Sequence, residues 1–189
     1  METKKIGVLI GSLRKESFCR KMAKVLMTLA PISFELEEVE IGELAMYNQD
    51  FDDEGNPPAS WTSYREHVQQ YDAILFITPE YNRSVPAVLK NALDVGSRPY
   101  GKNIWDGKPG AVMSISPGGL SGFGANHHLR QSLVFLNIPS MQQPEAYIGN
   151  AATLFDASGA LVNERTREFL QNFINAFSTW VEINAPKKS

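Results

Sequence analysis

The sequence predicts an α/β fold, a doubly wound parallel sheet of five strands in the order 2-1-3-4-5 with helices on both faces. Three observations carry this expectation. Short runs that are apolar at every position alternate with segments that are apolar at every third or fourth position. Runs apolar throughout suit strands buried on both faces, the condition that crossover helices impose on parallel sheets. Strand and helix signals alternate five times within 189 residues, which suits one domain over 1–184 and a frayed tail at 185–189.

The first strand is Ile6-Gly7-Val8-Leu9-Ile10. After a polar loop, Phe18, Met22, Val25, Leu26 and Leu29 share one helical face that ends at Pro31. Phe34 to Ile41 partly alternates and reads as a strand with a more exposed face. Ser60 is placed as the cap of a helix carrying Trp61, Tyr64, Val68 and Tyr71. Ala73-Ile74-Leu75-Phe76-Ile77 is the next buried strand. Val85, Val88, Leu89 and Ala92 mark a helix with Pro86 in its first turn. Ala111 to Ile115 is a strand, and Leu129, Leu133 and Leu136 mark the following helix. The fifth strand is expected near Ser140 to Gln143. The last helix carries Phe169, Phe173, Ala176, Phe177 and Trp180 after the cap candidate Asn163.

Composition narrows the function. Hydrophobic residues make up 43% and charged residues 21%, as in globular domains. A formal net charge of -3 offers no basic field for nucleic acid. The single cysteine, Cys19, forms no internal disulfide, and with no signal-peptide pattern the chain is expected in the cytoplasm. No apolar stretch reaches bilayer length.

Ligands on doubly wound sheets bind beyond the carboxyl ends of the strands, where strand order reverses. In the order 2-1-3-4-5 this lies between the first and third strands, so three loops matter. The first, Gly11-Ser12-Leu13-Arg14-Lys15-Glu16-Ser17, offers helix-start amides, two hydroxyls and a guanidinium to a phosphate. It fits neither GxxxxGK[ST] nor GxGxxG. The second runs from Pro79 to Pro86 and contributes the flat face of Tyr81 and the amide of Asn82. The third, Ser116 to Gly124, is rich in glycines that let backbone approach a planar ligand. By composition alone the first loop reads better as a serine-capped turn, the second equally well as a turn, and the third as simple flexibility; position after the first buried strand and convergence of all three at one crevice favour a ligand site.

The stretches Gly11-Ser12-Leu13-Arg14-Lys15-Glu16-Ser17-Phe18 and Pro79-Glu80-Tyr81-Asn82-Arg83-Ser84-Val85-Pro86-Ala87-Val88-Leu89-Lys90-Asn91-Ala92-Leu93-Asp94 resemble the flavodoxin-like NADPH-dependent FMN reductase family. Within it they are most similar to the chromate and quinone reductase branch. The resemblance implies that Ser12, Arg14, Ser17 and Phe18 surround the FMN phosphate, and Cys19 is counted with them. It implies that Pro79, Glu80, Tyr81 and Asn82 border the isoalloxazine ring, with Ser116 and Gly119 closing the other side. It further implies NAD(P)H as co-substrate, quinones or free flavin as acceptors, two-electron ping-pong transfer, and a homodimer or dimer-based tetramer. The flavin carries the chemistry, so no catalytic acid or base is named and Tyr81 is the candidate substrate contact. The chain departs from the pattern at Val95, where an aromatic residue is common, and at Gly124 and His127, where the branch often has Arg and Tyr.

Other features have plainer readings. His127 and His128 are adjacent and diverge on a helix surface, so no metal site is expected. Asp50-Phe51-Asp52-Asp53-Glu54-Gly55 opens like a calcium loop, but Trp61 stands where the closing acid belongs; a solvated loop near Met46, Tyr47 and Asn48 is expected. Arg98, Tyr100 and Trp105 are equally compatible with an interface and with local packing. The alternative function is a flavodoxin-type one-electron carrier. A phosphorylation-controlled receiver shares the fold, but Ile10-Gly11-Ser12 lacks the acidic cluster it needs.

Overall fold

The structure, a computed structural model, describes residues 3–186. Its five parallel strands are β1 (Lys4–Ile10), β2 (Phe34–Val39), β3 (Ala73–Thr78), β4 (Gly110–Ile115) and β5 (Ala146–Ile148), in the order β2-β1-β3-β4-β5. The helices are α1 (Phe18–Leu29), α2 (Gln49–Asp53), α3 (Ala59–Gln69), α4 (Ala87–Gly96), α5 (Phe123–Phe135) and α6 (Glu164–Asn184). No helix of the described residues is long and apolar enough to cross a membrane. Of the expected tail, residues 187–189 lie outside the described residues.

The alternation of side chains along each strand divides the interior in two. Ile6, Val8, Ile10, Leu75, Ile77, Met113 and Ile115 face α1 and α6, meeting Met22, Leu26, Phe173 and Phe177. Leu9, Ile74, Phe76 and Val112 face α3, α4 and α5, meeting Trp61, Leu89, Leu129 and Trp105. Gly7 makes room on the second face, since a Cβ there would lie 2.8 Å from the Tyr71 ring.

Three expectations are corrected. The fifth strand pairs Ala146, Tyr147 and Ile148 with Met113, Ser114 and Ile115, not Ser140 to Gln143. Ser140 forms only an isolated bridge to Gly110, at the other end of β4. The chain touches β4 there, turns outward and returns as the edge strand. Ser60 does not cap α3, which begins at Ala59 after Pro58 with no side-chain cap; Tyr71 follows the helix rather than lying in it. The acidic segment after Asn48 is not a loop but α2, with the Asn48 side chain accepting the Asp50 N–H at 3.1 Å.

Candidate functional site

The carboxyl ends of β1, β3 and β4 open into a cleft of about 190 Å³ between the three loops. It is lined by Ser12, Arg14, Ser17, Phe18 and Cys19, by Pro79, Glu80 and Tyr81, and by Ile115, Ser116 and Pro117. Asn82 and Gly119 stand outside this lining, exposed at the rim. The volume falls below the roughly 300–1,000 Å³ usual for sites that enclose a whole small ligand. The cleft can therefore enclose one part of a nucleotide and leave the rest against the exposed Tyr81. Two larger clefts, about 370 and 470 Å³, are lined by the helical flank and the 98–104 segment and draw no residue from the three loops.

The first wall is built from β1 into α1. The Gly11 N–H bonds the Ile77 carbonyl at 2.9 Å, tying the loop to β3. A Cβ at Gly11 would lie 3.1 Å from Pro79, so the first and second loops meet there. Ser17 is the N-cap of α1, its hydroxyl accepting the Arg20 N–H at 3.4 Å. Ser12 and Ser17 are both buried, placing two hydroxyls at the positive end of a twelve-residue helix. Arg20 pairs with Glu38 at 2.7 Å and also donates to the Arg14 carbonyl at 3.5 Å. This bracing leaves the exposed Arg14 guanidinium to the cleft. Burial pushes the Cys19 thiol up to about 12, so at neutral pH it fills space as a thiol rather than acting as a thiolate.

The second wall is a hairpin in which Tyr81 and Ser84 exchange backbone hydrogen bonds at 3.1 and 2.9 Å. Its base is Glu80, whose carboxylate accepts the Ala125 N–H at 3.0 Å. Helix α5 has Gly122 at its N-cap and no side-chain cap of its own; Glu80 supplies that acceptor from another loop. The approach is close because residue 124 is glycine. A Cβ at Gly124 would lie 2.8 Å from the Arg83 carbonyl and 3.0 Å from Glu80 Oε2.

The third wall is held rather than slack. Ser116 Oγ accepts the Gly118 N–H at 3.1 Å, and Ser114 Oγ donates to the Ser121 carbonyl at 2.8 Å. Gly149 admits the loop closely, since a Cβ there would lie 2.5 Å from Ser121 Oγ. Beyond it, the His127 ring packs at a tilt against Phe123, centroids 4.2 Å apart, and shares a 2.9 Å hydrogen bond with the Tyr147 hydroxyl. Val95 is fully buried. Trp105 is buried too and thus packing, whereas Tyr100 is almost wholly exposed. Among the described residues no group of three or more His, Cys, Asp or Glu side chains is arranged to hold a metal ion.

The sequence points to the three loops and to Glu80, but not to the capping role of Glu80 or to Arg20. Glu80 was expected to border a ligand, and its capping of α5 depends on a partner 45 residues away. Arg20 gave a weak signal, as a basic residue one turn into α1.

The donor set fits a flavin mononucleotide: buried hydroxyls, a helix start and a free guanidinium for phosphate, beside an aromatic face and an open rim for a ring. Comparison with known proteins agrees. Residues 4–153 match the sequence profile of the NADPH-dependent FMN reductase family. A quinone reductase of Pseudomonas putida is 59% identical over 179 residues, 95% of each chain. A 2-hydroxy-1,4-benzoquinone reductase of a Burkholderia species is 44% identical, covering 94% of this chain and 96% of that one. The solved structure of FerB, a flavoenzyme NAD(P)H:(acceptor) oxidoreductase from Paracoccus denitrificans, superposes with a TM-score of 0.91 at 41% identity, covering 97% of this chain and all of FerB.

Proposed function

The chain belongs to the NADPH-dependent FMN reductase family, and on that premise we propose that it is an FMN-dependent NAD(P)H reductase of quinones and similar acceptors. The observation that carries the reading is the meeting of three loops in one cleft at the carboxyl ends of β1, β3 and β4. When bound there, FMN supplies the redox chemistry, taking hydride from NAD(P)H and passing two electrons to the acceptor. Overall, one NAD(P)H, one proton and one quinone become one NAD(P)⁺ and one hydroquinone.

In this reading, Ser12, Ser17 and Arg14 hold the phosphate, aided by the start of α1. Phe18 and Cys19 close the cleft beneath it and exclude water. Pro79, Glu80, Tyr81 and Asn82 border the ring on one side, Ser116 and Gly119 on the other. Glu80 positions rather than reacts, since its carboxylate is engaged with α5. Tyr81, about half exposed, is the surface against which incoming substrates rest. The exposed face of Tyr81 is taken as one docking surface that holds the nicotinamide and the acceptor in turn, so the kinetics are ping-pong. Initial rates against NAD(P)H at several fixed quinone concentrations test this, with parallel double-reciprocal lines expected and intersecting lines contradicting it.

The same proposal takes 1–184 as the FMN-binding unit of a cytoplasmic homodimer or dimer-based tetramer. Val134 and Phe135, both largely exposed at the end of α5, support a self-association face. Light scattering at micromolar concentration tests it, and a monomeric mass with full activity would contradict it.

A further inference from the structure

The hairpin at the lip of the cleft carries an unusual residue. Its two central positions, Asn82 and Arg83, both have left-handed backbone, with φ of 50° and 67°. Two-residue turns of this kind favour Asn followed by Gly. Asn tolerates the conformation, but at the second position a Cβ is strained and glycine is not. Strain kept where glycine would relieve it points to a use for the side chain.

Packing does not supply that use. The Arg83 side chain is 73% exposed, and its polar contact among the described residues is Glu80 Oε1 at 3.4 Å. A long contact in water between neighbours in sequence contributes little, and the other oxygen of Glu80 already accepts from Ala125. The guanidinium thus stands largely free, two residues from Tyr81 and within reach of a group that lines the cleft. The other loop guanidinium, Arg14, lines the opposite wall.

We propose that Arg83 is a binding residue for the dinucleotide co-substrate, taking one of its phosphates at the outer lip of the cleft. This rests on the reductase reading above. A dinucleotide is a polyanion, and this chain carries a net charge of -3, so its capture needs a local cation. A guanidinium suits the task because it meets phosphate oxygens through two parallel hydrogen bonds. The pyrophosphate, common to NADH and NADPH, is the phosphate assigned.

The test uses the FMN-loaded protein and the variants Arg83→Gly and Arg83→Lys. Three quantities are measured: kcat/KM for NADH, NADPH and a quinone, calorimetric binding of ADP-ribose, and the melting temperature of the apoprotein. Arg83→Gly is expected to lower kcat/KM for both nicotinamides and to weaken ADP-ribose binding, each about ten-fold, which corresponds to about 1.4 kcal/mol. It leaves kcat/KM for the quinone within about two-fold, because a ping-pong cycle separates the half-reactions. Relief of strain raises its melting temperature by about 2–4 °C. Arg83→Lys recovers part of the binding as a point charge. A loss confined to NADPH would move the contact to the 2′-phosphate and still support a phosphate-binding Arg83. Unchanged nicotinamide kinetics and ADP-ribose binding in Arg83→Gly would overturn the inference and leave the reductase standing. A lower melting temperature would remove its premise. If the wild type binds ADP-ribose through Arg83 yet oxidises neither nicotinamide, the reductase reading falls and the phosphate site remains.

Discussion

The Glu80 carboxylate caps helix α5 by accepting the Ala125 N–H at 3.0 Å, joining the second loop of the cleft to the helix that follows the third. The two walls therefore form one unit. Among the described residues Glu80 is the one side-chain acceptor at that helix start, and Glu80→Ala is expected to destabilise the fold by about 1–2 kcal/mol. It also loosens FMN, because the hairpin that carries Tyr81 loses its tie to α5. Glu80→Gln keeps an acceptor oxygen and recovers part of both losses. Urea denaturation and FMN titration check this; an Ala variant with normal stability would contradict the capping role.

A second link holds the flank beneath Tyr47. Asp52 and Arg65 form a doubly hydrogen-bonded pair at 2.8 Å, with side chains only 4% and 11% exposed. Arg65 also donates to the Val95 carbonyl at 2.9 Å and lies over Trp61. Asp52→Ala leaves a buried guanidinium without its carboxylate and is expected to cost about 3–5 kcal/mol. Chemical denaturation measures this; a change below about 1 kcal/mol would show that water replaces the carboxylate.

The buried Cys19 thiol sets an alkaline limit on stability. Its folded pKa, pushed up to about 12, lies above the ordinary 9.0, so the native state keeps a proton that the unfolded chain has lost. Its contribution is complete below about pH 9 and declines toward pH 12, by about 4 kcal/mol at the upper end. Burial raises Tyr64 and Tyr71 as well, adding to the same trend. Denaturation from about pH 8 to about pH 11 is expected to fall less steeply for Cys19→Ala than for the wild type. Identical slopes would contradict the assignment.

The phosphate wall makes its own prediction. Arg14→Ala is expected to weaken FMN by about ten- to a hundred-fold, the usual loss for a charged hydrogen bond. Riboflavin, which lacks the phosphate, is bound equally by both proteins. Titration of apoprotein with each ligand decides it; normal FMN affinity in the variant would move the phosphate elsewhere.

Much of this was legible in the sequence because burial writes periodicity. Ile6 to Ile10, Ala73 to Ile77 and Ala111 to Ile115 are apolar at nearly every position, and each lies in a strand covered on both faces. The edge strand was misplaced because Ala146–Ile148 has only three residues and one buried neighbour strand, too short for a pattern. Helix α2 was missed because its five residues include none that is buried; the Asn48 cap with Asp50 and Asp52 in the first turn was the available signal. The loops could be located from strand order alone. The Glu80–Ala125 bond and the left-handed Arg83 could not, since both depend on how separate segments close on each other.

In the proposed function this cleft holds FMN, which receives electrons there from a nicotinamide. The most direct measurement is the visible absorbance of the FMN-loaded protein mixed anaerobically with NADPH or NADH. The yellow colour is expected to bleach within a turnover and to return when one equivalent of quinone is added. Colour that persists for minutes with both nicotinamides would contradict the reductase function and leave the one-electron carrier in its place.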